Sequence, residues 1–372
     1  MDHPDLQQLP EATRKALAGP PPLRLMVARG MAPLPPGALV CALYALAYER
    51  ADDKLREAAQ KTLGALPDAI VNGALASADL PPAVLDDLAS RLASNQNAME
   101  RIVRHANTAP ETVAHVAKRC SEALSEVIAT NEQRLLQHPE IIEALYMNEK
   151  TRMSTADRVV ELAARHGLTP KIPGFDAIVE ALRAQKPRTQ PGSAEAAEAD
   201  HEFKTVMEVT ATLTGDVVKE EEDGTIKFQG ENVEKAEKAD KSIAKMSVTE
   251  KIRTAMLGNA AARAMLVRSG NKLVSGAVLQ SPKLNDDEVV KFSASRQVSS
   301  EILRKIAGRK DFTRLYDVKC NLINNPKTPL AESMRFLSHL RDVDLRKILG
   351  NKNVPSGLRN AANGIINSKG KK

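Results

Sequence analysis

A short stretch that ends one helix and begins the next recurs along this chain, and it constrains the fold more than any other feature. The clearest copy is residues 324–330 (NNPKTPL), which lies between two apolar helical patterns. Proline disfavours helix at the residue before it, so Pro326 predicts a helix end near Asn324. Thr328 is predicted to cap the next helix with its hydroxyl, and Pro329 to occupy the first helical position, where no amide donor is needed.

Further copies of this stretch divide the chain into repeats. They lie at residues 74–89, 102–117, 281–288, 295–301 and 351–355. Thr108 aligns with Thr328, and Glu111 follows Thr108 at the spacing of a capping box. Corresponding positions are separated by 28 residues (82 and 110), 30 residues (298 and 328) and 26 residues (328 and 354). This spacing is typical of stacked helical pairs, each of which buries its apolar face against its neighbours. The sequence therefore predicts an all-α fold, an α-solenoid of stacked short helical pairs.

Two stretches resemble known helical repeats. Residues 322–329 (LINNPKTP), followed by Met334 and Leu337, resemble the leucine-rich repeat variant consensus, in which an Asn-Pro-x-Thr-Pro turn joins short helices. Residues 43–66 resemble a HEAT repeat. The chain is thus similar to bacterial α-helical repeat proteins of the leucine-rich repeat variant or HEAT-like type. The resemblance implies an architecture and carries almost no information about activity. The N-terminal cysteine cluster that variant-repeat proteins can carry for an iron–sulfur centre has no counterpart here.

The composition agrees with closely packed helices. Aromatic residues make up 3% of the chain and Trp is absent, so a core of Leu, Ala, Val and Ile is expected, which argues against a β-sandwich. Cys41, Cys120 and Cys320 are far apart in sequence and are predicted to be reduced core residues of a cytoplasmic protein. The most apolar segment, residues 38–47, is too short to span a bilayer, and the N-terminus lacks the pattern of a signal peptide.

Changes in composition predict two helical blocks joined by an acidic flexible linker. The predicted parts are a disordered N-terminus (1–21), an N-terminal helical-repeat domain (22–184), the linker (185–244) and a basic C-terminal helical-repeat domain (245–372). The linker begins with a Pro- and Ser-containing stretch and continues as an acidic segment poor in large apolar residues. Asp223-Gly224 is a hairpin signal within it, but an isolated hairpin is marginal in water, so disorder is favoured.

The charge is distributed unevenly along the chain. Residues 241–372 contain 26 Lys and Arg against 10 Asp and Glu, a net charge of +16, whereas residues 1–240 contain 27 against 37, a net charge of −10. Basic residues concentrate near one helix junction of the C-terminal block. The predicted partner-binding residues of this basic face are Arg304, Lys305, Arg309, Lys310, Arg314 and Lys319. Such a cluster indicates either an anion-binding surface or a solvated helix exterior.

Motifs of catalysis and of ligand binding are missing from the sequence. It contains no His-Glu-x-x-His, no Cys-x-x-Cys, no phosphate-binding glycine loop and no Gly-x-Ser-x-Gly. His105 and His115 lie across one turn, but a metal site requires further ligands that the sequence does not place there. We therefore expect no catalytic, cofactor-binding or metal-binding residues, and no small-molecule substrate is implied.

A binding role is the function that the sequence predicts. We expect a non-catalytic scaffold or adaptor that mediates protein–protein interaction and presents its basic C-terminal face to an anionic partner. The alternative is a helical-repeat protein that binds nucleic acid without sequence preference. Few aromatic residues are present for base stacking in the C-terminal block, which favours the first interpretation. Fold-back of the acidic segment onto the basic face, and the oligomeric state, are left open.

Overall fold

The chain is all-helical except for one short hairpin in the part that the structure describes. The structure is a computed structural model that describes residues 9–184, 193–213, 218–220, 226–228, 233–351 and 354–369. It confirms the predicted all-α class. The chain divides into two compact units, unit 1 (Met1–Pro170) and unit 2 (Lys171–Lys372). None of the described helices has the length and apolar character needed to cross a membrane.

Unit 1 is built from short helices arranged as pairs. Its helices are α1 (Glu11–Leu17), α2 (Pro21–Ala28), α3 (Pro36–Ala47), α4 (Asp53–Leu63), α5 (Asp68–Leu75), α6 (Pro82–Arg91), α7 (Gln96–Arg104), α8 (Pro110–Ala117), α9 (Glu122–Ala129), α10 (Glu132–Gln137), α11 (Pro139–Met147) and α12 (Met153–Arg165). Helices α5, α7, α9 and α12 contact one another in sequence, and so do α6, α8 and α11. From α5 to α12, neighbouring helices thus pack in two series.

The N-terminal residues differ from the predicted disordered segment. Thr13 and Ala16 of α1 are buried, and the Thr13 hydroxyl donates to the carbonyl of Ala38 at 3.0 Å. Together with Leu17, they form one side of a short helix that packs against α3. Its proline-rich surroundings suggested a frayed end, but prolines at helix starts are compatible with helix. Residues 1–8 lie outside the described part.

Unit 2 contains the remaining helices. They are α13 (Phe175–Ala184), α14 (Ala194–Ala211), α15 (Val233–Lys245), α16 (Val248–Leu257), α17 (Ala260–Leu266), α18 (Lys272–Val278), α19 (Asp286–Ala294), α20 (Ser300–Gly308), α21 (Lys310–Thr313), α22 (Tyr316–Asn324), α23 (Leu330–Phe336), α24 (Asp342–Gly350) and α25 (Ser356–Lys369). Strands β1 (Val218–Glu220) and β2 (Ile226–Phe228) pair antiparallel, with Val218 opposite Phe228. The turn between the strands, with Asp223-Gly224, lies outside the described residues.

Much of the segment predicted as a flexible linker is helical. Helix α14 packs against α15, α16 and α17, and its residues Phe203 and Val206 are buried. The Asn259 side chain donates to the carbonyl of Thr210 at 2.5 Å and joins α14 to α17. Although the segment is acidic on average, it contains a few apolar residues at helical spacing. These are enough to pack an amphipathic helix against its neighbours. The boundary between the units accordingly lies at residues 170/171, ahead of the predicted linker. Residues 185–192 lie outside the described part.

The recurring turn is stabilised by the residue after the first helix. The Asn325 side chain donates to the carbonyls of Ser293 and Ser295 at 3.0 and 2.9 Å and accepts from the amide of Lys327 at 3.0 Å. It is buried, so one side chain closes the turn and also satisfies two carbonyls of the preceding repeat.

Equivalent side chains repeat these bonds in unit 1. Asn148 donates to the carbonyls of Ala117 and Cys120 and accepts from the Lys150 amide. His105 makes the corresponding contacts with its two ring nitrogens, to the Ser77 carbonyl and the Asn107 amide. In these three turns the side chain therefore bonds to carbonyls 28–32 residues earlier in the chain, a contact that is not visible in the local sequence.

The predicted threonine cap is wrong. Helix α23 has Pro329 as its N-cap residue with no side-chain cap, and the buried Thr328 hydroxyl has no partner among the described residues. Helix α8 likewise has Ala109 at its N-cap, and the Thr108 hydroxyl donates backwards to the carbonyl of Ile102. The predicted capping box with Glu111 is therefore absent from this turn. Because proline at the helix start already fixes the backbone, the helix does not require a side-chain cap there. The threonine side chain is buried instead.

Replacing Thr328 with valine is expected to raise the free energy of unfolding by about 1 kcal/mol, because it removes a buried hydroxyl without a partner and keeps the shape of the side chain. Thr108→Val is the matched control, since that hydroxyl has a hydrogen-bond acceptor, and it is expected to lower stability by about 1 kcal/mol. Urea denaturation of both variants measures the effects. Equal destabilisation by the two substitutions would contradict the assignment.

A buried ion pair joins two repeats of unit 2. Arg263 on α17 and Glu288 on α19 form two parallel hydrogen bonds of 2.8 Å each, and their side chains are 3% and 7% exposed. Arg263 also donates to the carbonyls of Gly258 and Lys283 at 2.7 and 3.0 Å. Glu288 completes a capping box with Asn285 at the start of α19. Both charges are thus hydrogen-bonded on more than one side, as a buried pair requires.

Candidate anion-binding surface

Helices α20 and α23 of unit 2 present an exposed side at corresponding positions. Ser299 is the N-cap residue of α20 and Pro329 that of α23, a separation of 30 residues. With this register Arg304 corresponds to Met334, and Lys305 to Arg335. All four side chains are exposed, whereas the residues that follow each pair, Ile306 and Phe336 for example, are buried. Helices α20 and α23 therefore expose the same side one repeat apart.

Arg304 and Lys305 are adjacent cations on the exposed side of α20. Neither forms an ion pair or hydrogen bond with another described residue. The Lys305 Nζ atom lies 3.1 Å from the point that a Cβ on Gly276 of α18 would occupy, so this side chain extends to α18. Glycine at position 276 leaves the space for that ammonium group.

Glu301, an acidic residue of the same helix, is bonded to another cation. Glu301 accepts from Lys272 at 2.8 Å. The hydrogen bond from Lys272 holds the pKa of Glu301 below its ordinary value, and the positive charges of Lys272, Lys305 and Arg304 act in the same direction. The carboxylate stays ionised over the physiological range, and its direct bond is to Lys272. Glu301 therefore leaves most of the positive charge of Arg304 and Lys305 unneutralised.

Two of the predicted basic residues hold neighbouring repeats together. Arg309 donates to the carbonyl of Leu279 at 2.6 Å, and its guanidinium lies 4.0 Å from the centre of the Phe312 ring. Arg314 forms a 2.7 Å ion pair with Asp286 of α19. These contacts give both arginines structural partners, so they are less available to an external anion than Arg304 and Lys305.

The other two predicted residues occupy different elements. Lys310 begins the four-residue helix α21 and is exposed, and Lys319 lies half-buried on α22, the first helix of the next pair. Neither has an ion-pair partner among the described residues. The six predicted side chains are thus divided among α20, the α20–α22 junction and α22. Of the six, Arg304 and Lys305 are consecutive exposed residues of α20.

Sequence reasoning missed two apolar residues of this surface. Leu330 and Met334 lie one turn apart on α23 and are 49% and 43% exposed. Arg335 follows them, paired with Glu332 at 2.7 Å and 61% exposed. The signal in the sequence was the 30-residue offset, which places Met334 at the position of Arg304 in the next repeat. The apolar pattern of α23 alone favours a core position for Met334.

The four aromatic residues of this part of the chain are not available for base stacking. Phe292, Phe312 and Phe336 are buried. The Tyr316 hydroxyl donates to Asp344 at 2.6 Å, and Arg341 covers its ring at 4.7 Å. This hydrogen bond holds the pKa of Asp344 below its ordinary value, while burial and Asp344 raise the pKa of Tyr316 to about 12. Tyr316 and Asp344 thus join successive repeats.

Other potential sites have structural explanations. Burial raises the pKa of Cys41 to about 12 and that of Cys120 to about 11, so both thiols are protonated at neutral pH. Cys320 is half-buried, and burial raises its pKa as well. Within the described ranges no three His, Cys, Asp or Glu side chains converge as metal ligands would.

A cavity of about 200 Å³ in unit 1 lies among α7 to α11. Its polar wall includes Arg104, Asn131 and Arg134. The Arg134 guanidinium donates to the carbonyls of Val103 and His105 and so caps the end of α7, while the Asn131 side chain caps α10. Burial lowers the pKa of Arg134. The polar groups of the cavity are therefore used largely to terminate and begin helices.

Comparison of the chain with protein-family models, with curated proteins and with solved structures gives no match.

Proposed function

We propose that the chain is a non-catalytic α-solenoid scaffold or adaptor in the cytoplasm, and that unit 2 binds an anionic partner protein. The contacts that run from α5 through α7 and α9 to α12, and from α6 through α8 to α11, support a solenoid, a fold that presents extended surfaces to ligands. The observation that carries the binding role is the adjacent pair Arg304 and Lys305, exposed and without ion-pair partners among the described residues.

The contrast with unit 1 argues against a merely solvated exterior. Five residues after the N-cap, α20 carries Arg304, whereas α6, α8 and α11 carry Asp86, Ala114 and Glu143. Solubility alone is served by interspersed charges of both signs. A local excess of exposed positive charge, as at Arg304 and Lys305, is instead typical of a surface that attracts an anionic ligand.

A protein is favoured over nucleic acid as the anionic partner. The buried or covered aromatic residues of this region leave no ring on the exposed side of α20 or α23 for base stacking. Phosphate contacts alone would support weak, salt-sensitive binding that spreads over many basic residues. Here Arg309 and Arg314, the arginines adjoining the pair, are already occupied.

Charge reversal at the basic residues tests the proposal. We expect the variant Arg304→Glu, Lys305→Glu, Lys310→Glu to lose the proteins that the wild type captures from a nuclease-treated native lysate, as quantified by mass spectrometry. The matched control is Lys235→Glu, Lys238→Glu, Lys241→Glu, which makes the same charge change on exposed positions of α15 in the same unit. Retention of all partners by the first variant, or equal loss by both, would contradict the proposal. Capture that disappears with nuclease would support the nucleic-acid alternative.

A further inference from the structure

The cavity among α7 to α11 of unit 1 is lined by both aliphatic and cationic side chains. Its volume is about 200 Å³. An apolar cavity of about 150 Å³ engineered into another protein binds benzene, so this one can hold a benzene-sized group with a polar substituent. The aliphatic lining residues come from all five helices, and all but Val127 are buried. They are Val103, Val113, Val127, Ile128, Leu135 and Ile141.

Arg134 supplies this cavity with a positive charge that has no acidic partner. The side chain is half-buried, and its Nη1 and Nη2 atoms donate to the carbonyls of Val103 and His105 at 2.5 and 3.3 Å. A guanidinium has five N–H donors, and the remaining ones have no acceptor among the described residues. No carboxylate of the described chain forms an ion pair with Arg134 either. Two carbonyls therefore hold the guanidinium in place while its charge has no counterion.

The surroundings of Arg134 favour an anion in the cavity. None of the lining residues, all of which belong to the described stretch 103–141, is acidic. Arg104 is a second lining cation, although its Nε atom donates to the exposed Glu100 at 3.0 Å. Burial lowers the pKa of Arg134, because loss of hydration disfavours the charged guanidinium. An anion bound beside it would compensate for that lost hydration.

We propose that this cavity binds a small apolar carboxylate, for which benzoate is a suitable probe. The carboxylate accepts hydrogen bonds from the Arg134 guanidinium, whose planar donor geometry matches the two carboxylate oxygens. The ring or branched chain of the ligand fills the space between the aliphatic side chains of α7 to α11. This inference concerns unit 1 and is independent of the function proposed for unit 2. It assigns ligand binding and no chemical reaction.

Both parts of such a ligand match the cavity. A neutral aromatic molecule fills the aliphatic space but leaves the charge of Arg134 without a counterion. A short anion such as acetate reaches the guanidinium but leaves most of the aliphatic wall in contact with water. A strongly hydrated anion such as phosphate loses its hydration against the aliphatic side chains, and few lining donors replace it. The relative affinities of ligands with one part or both therefore test the inference.

Calorimetric titration of the full chain with benzoate, benzamide and acetate tests the inference without any substitution. Benzamide has the same ring with a neutral amide in place of the carboxylate, and acetate has the carboxylate without the ring. All titrations are made at one ionic strength, so that screening of charge is the same in each. We expect benzoate to bind with a dissociation constant of about 1 mM or lower, roughly tenfold more tightly than benzamide or acetate.

Two substitutions with matched controls locate the ligand. Arg134→Gln removes the charge and is expected to weaken benzoate binding about tenfold, to the level of benzamide. Its control is Arg101→Gln, which removes a charge from an exposed position of α7 outside the cavity and should leave benzoate binding unchanged. Val127→Phe fills part of the cavity and should weaken both benzoate and benzamide, whereas Ala123→Phe, at an exposed position of the same helix, should weaken neither. Circular dichroism checks that each variant is folded.

The three ligands keep the inference testable even if Arg134→Gln does not fold, since Arg134 also bonds to the end of α7. Equal binding of benzoate and benzamide would overturn the role of the guanidinium, and equal binding of benzoate and acetate would overturn that of the aliphatic wall. No binding of benzoate at about tenfold the expected dissociation constant would mean that the cavity holds water alone, which also overturns the inference. Equal weakening by Arg134→Gln and Arg101→Gln would place the ligand elsewhere.

Discussion

Replacing Glu288 with alanine is expected to lower the free energy of unfolding by about 3–5 kcal/mol, because it leaves the buried Arg263 guanidinium without its countercharge. Arg263 is 3% exposed in side-chain terms, so solvent does not compensate for the loss. The capping box at the start of α19 disappears in the same variant, which adds to the destabilisation. Urea denaturation followed by far-UV circular dichroism measures the change.

A control from the same helix separates burial from charge. Asp286 also forms an ion pair, with Arg314, but their side chains are 51% and 66% exposed. Asp286→Ala is therefore expected to cost at most about 1 kcal/mol. The double variant Arg263→Met, Glu288→Met removes both charges and should recover much of the stability lost in Glu288→Ala, since a buried ion pair contributes little beyond its apolar replacement. A similar small effect from Glu288→Ala and Asp286→Ala would show that the α17–α19 pair is not buried.

Substitution of Asn325 by alanine is expected to lower the free energy of unfolding by about 3 kcal/mol. Three hydrogen bonds are lost, and the carbonyls of Ser293 and Ser295 are left without this donor. The neighbouring Asn324 is exposed and serves as the control, so Asn324→Ala should cost less than about 1 kcal/mol. Both variants are measured by thermal and urea denaturation.

The equivalent position in unit 1 provides a second check of the same turn. His105 occupies the place of Asn325, so His105→Asn should preserve the turn whereas His105→Ala should weaken it. The two ring nitrogens of His105 contact the Ser77 carbonyl and the Asn107 amide, and an asparagine amide offers the same donor and acceptor. If His105→Asn and His105→Ala were equally destabilised, the turn residues of the two units would not be equivalent.

Helix boundaries were predictable because proline acts locally. Helices α6 and α8 begin at Pro82 and Pro110, where the sequence placed helix starts, and α22 ends at Asn324, ahead of Pro326. The hydrogen bonds of Asn325 were not predictable, since their acceptors lie 30 and 32 residues earlier in the chain. The local sequence pattern predicted a threonine cap. The side chain that closes the turn is instead that of Asn325, because it also bonds to carbonyls distant in sequence.

The candidate surface was predictable only in part. Six basic residues close in sequence suggested one face, but helix α21 redirects the chain and Arg309 and Arg314 bond to the preceding repeat. Contiguity in sequence does not imply a shared face where helices are this short. Recognising Leu330 and Met334 as exposed requires comparison of α20 with α23, which depends on a register that the turn positions supply.

Site-specific photo-crosslinking tests the central claim, that unit 2 binds an anionic partner protein, most directly, because it captures whichever molecule contacts the chosen position in the cell. A photoreactive amino acid replaces Ala331, which is exposed on α23 beside Leu330, and in a control chain it replaces Lys241, which is exposed on α15. Irradiation in cells of the native host is followed by nuclease treatment and denaturing electrophoresis. We expect a discrete, nuclease-resistant protein adduct from position 331 that is absent from position 241 and lost when Arg304→Glu, Lys305→Glu is introduced. The same adducts from both positions, or an adduct at position 331 that nuclease removes, would contradict an anionic protein partner of unit 2.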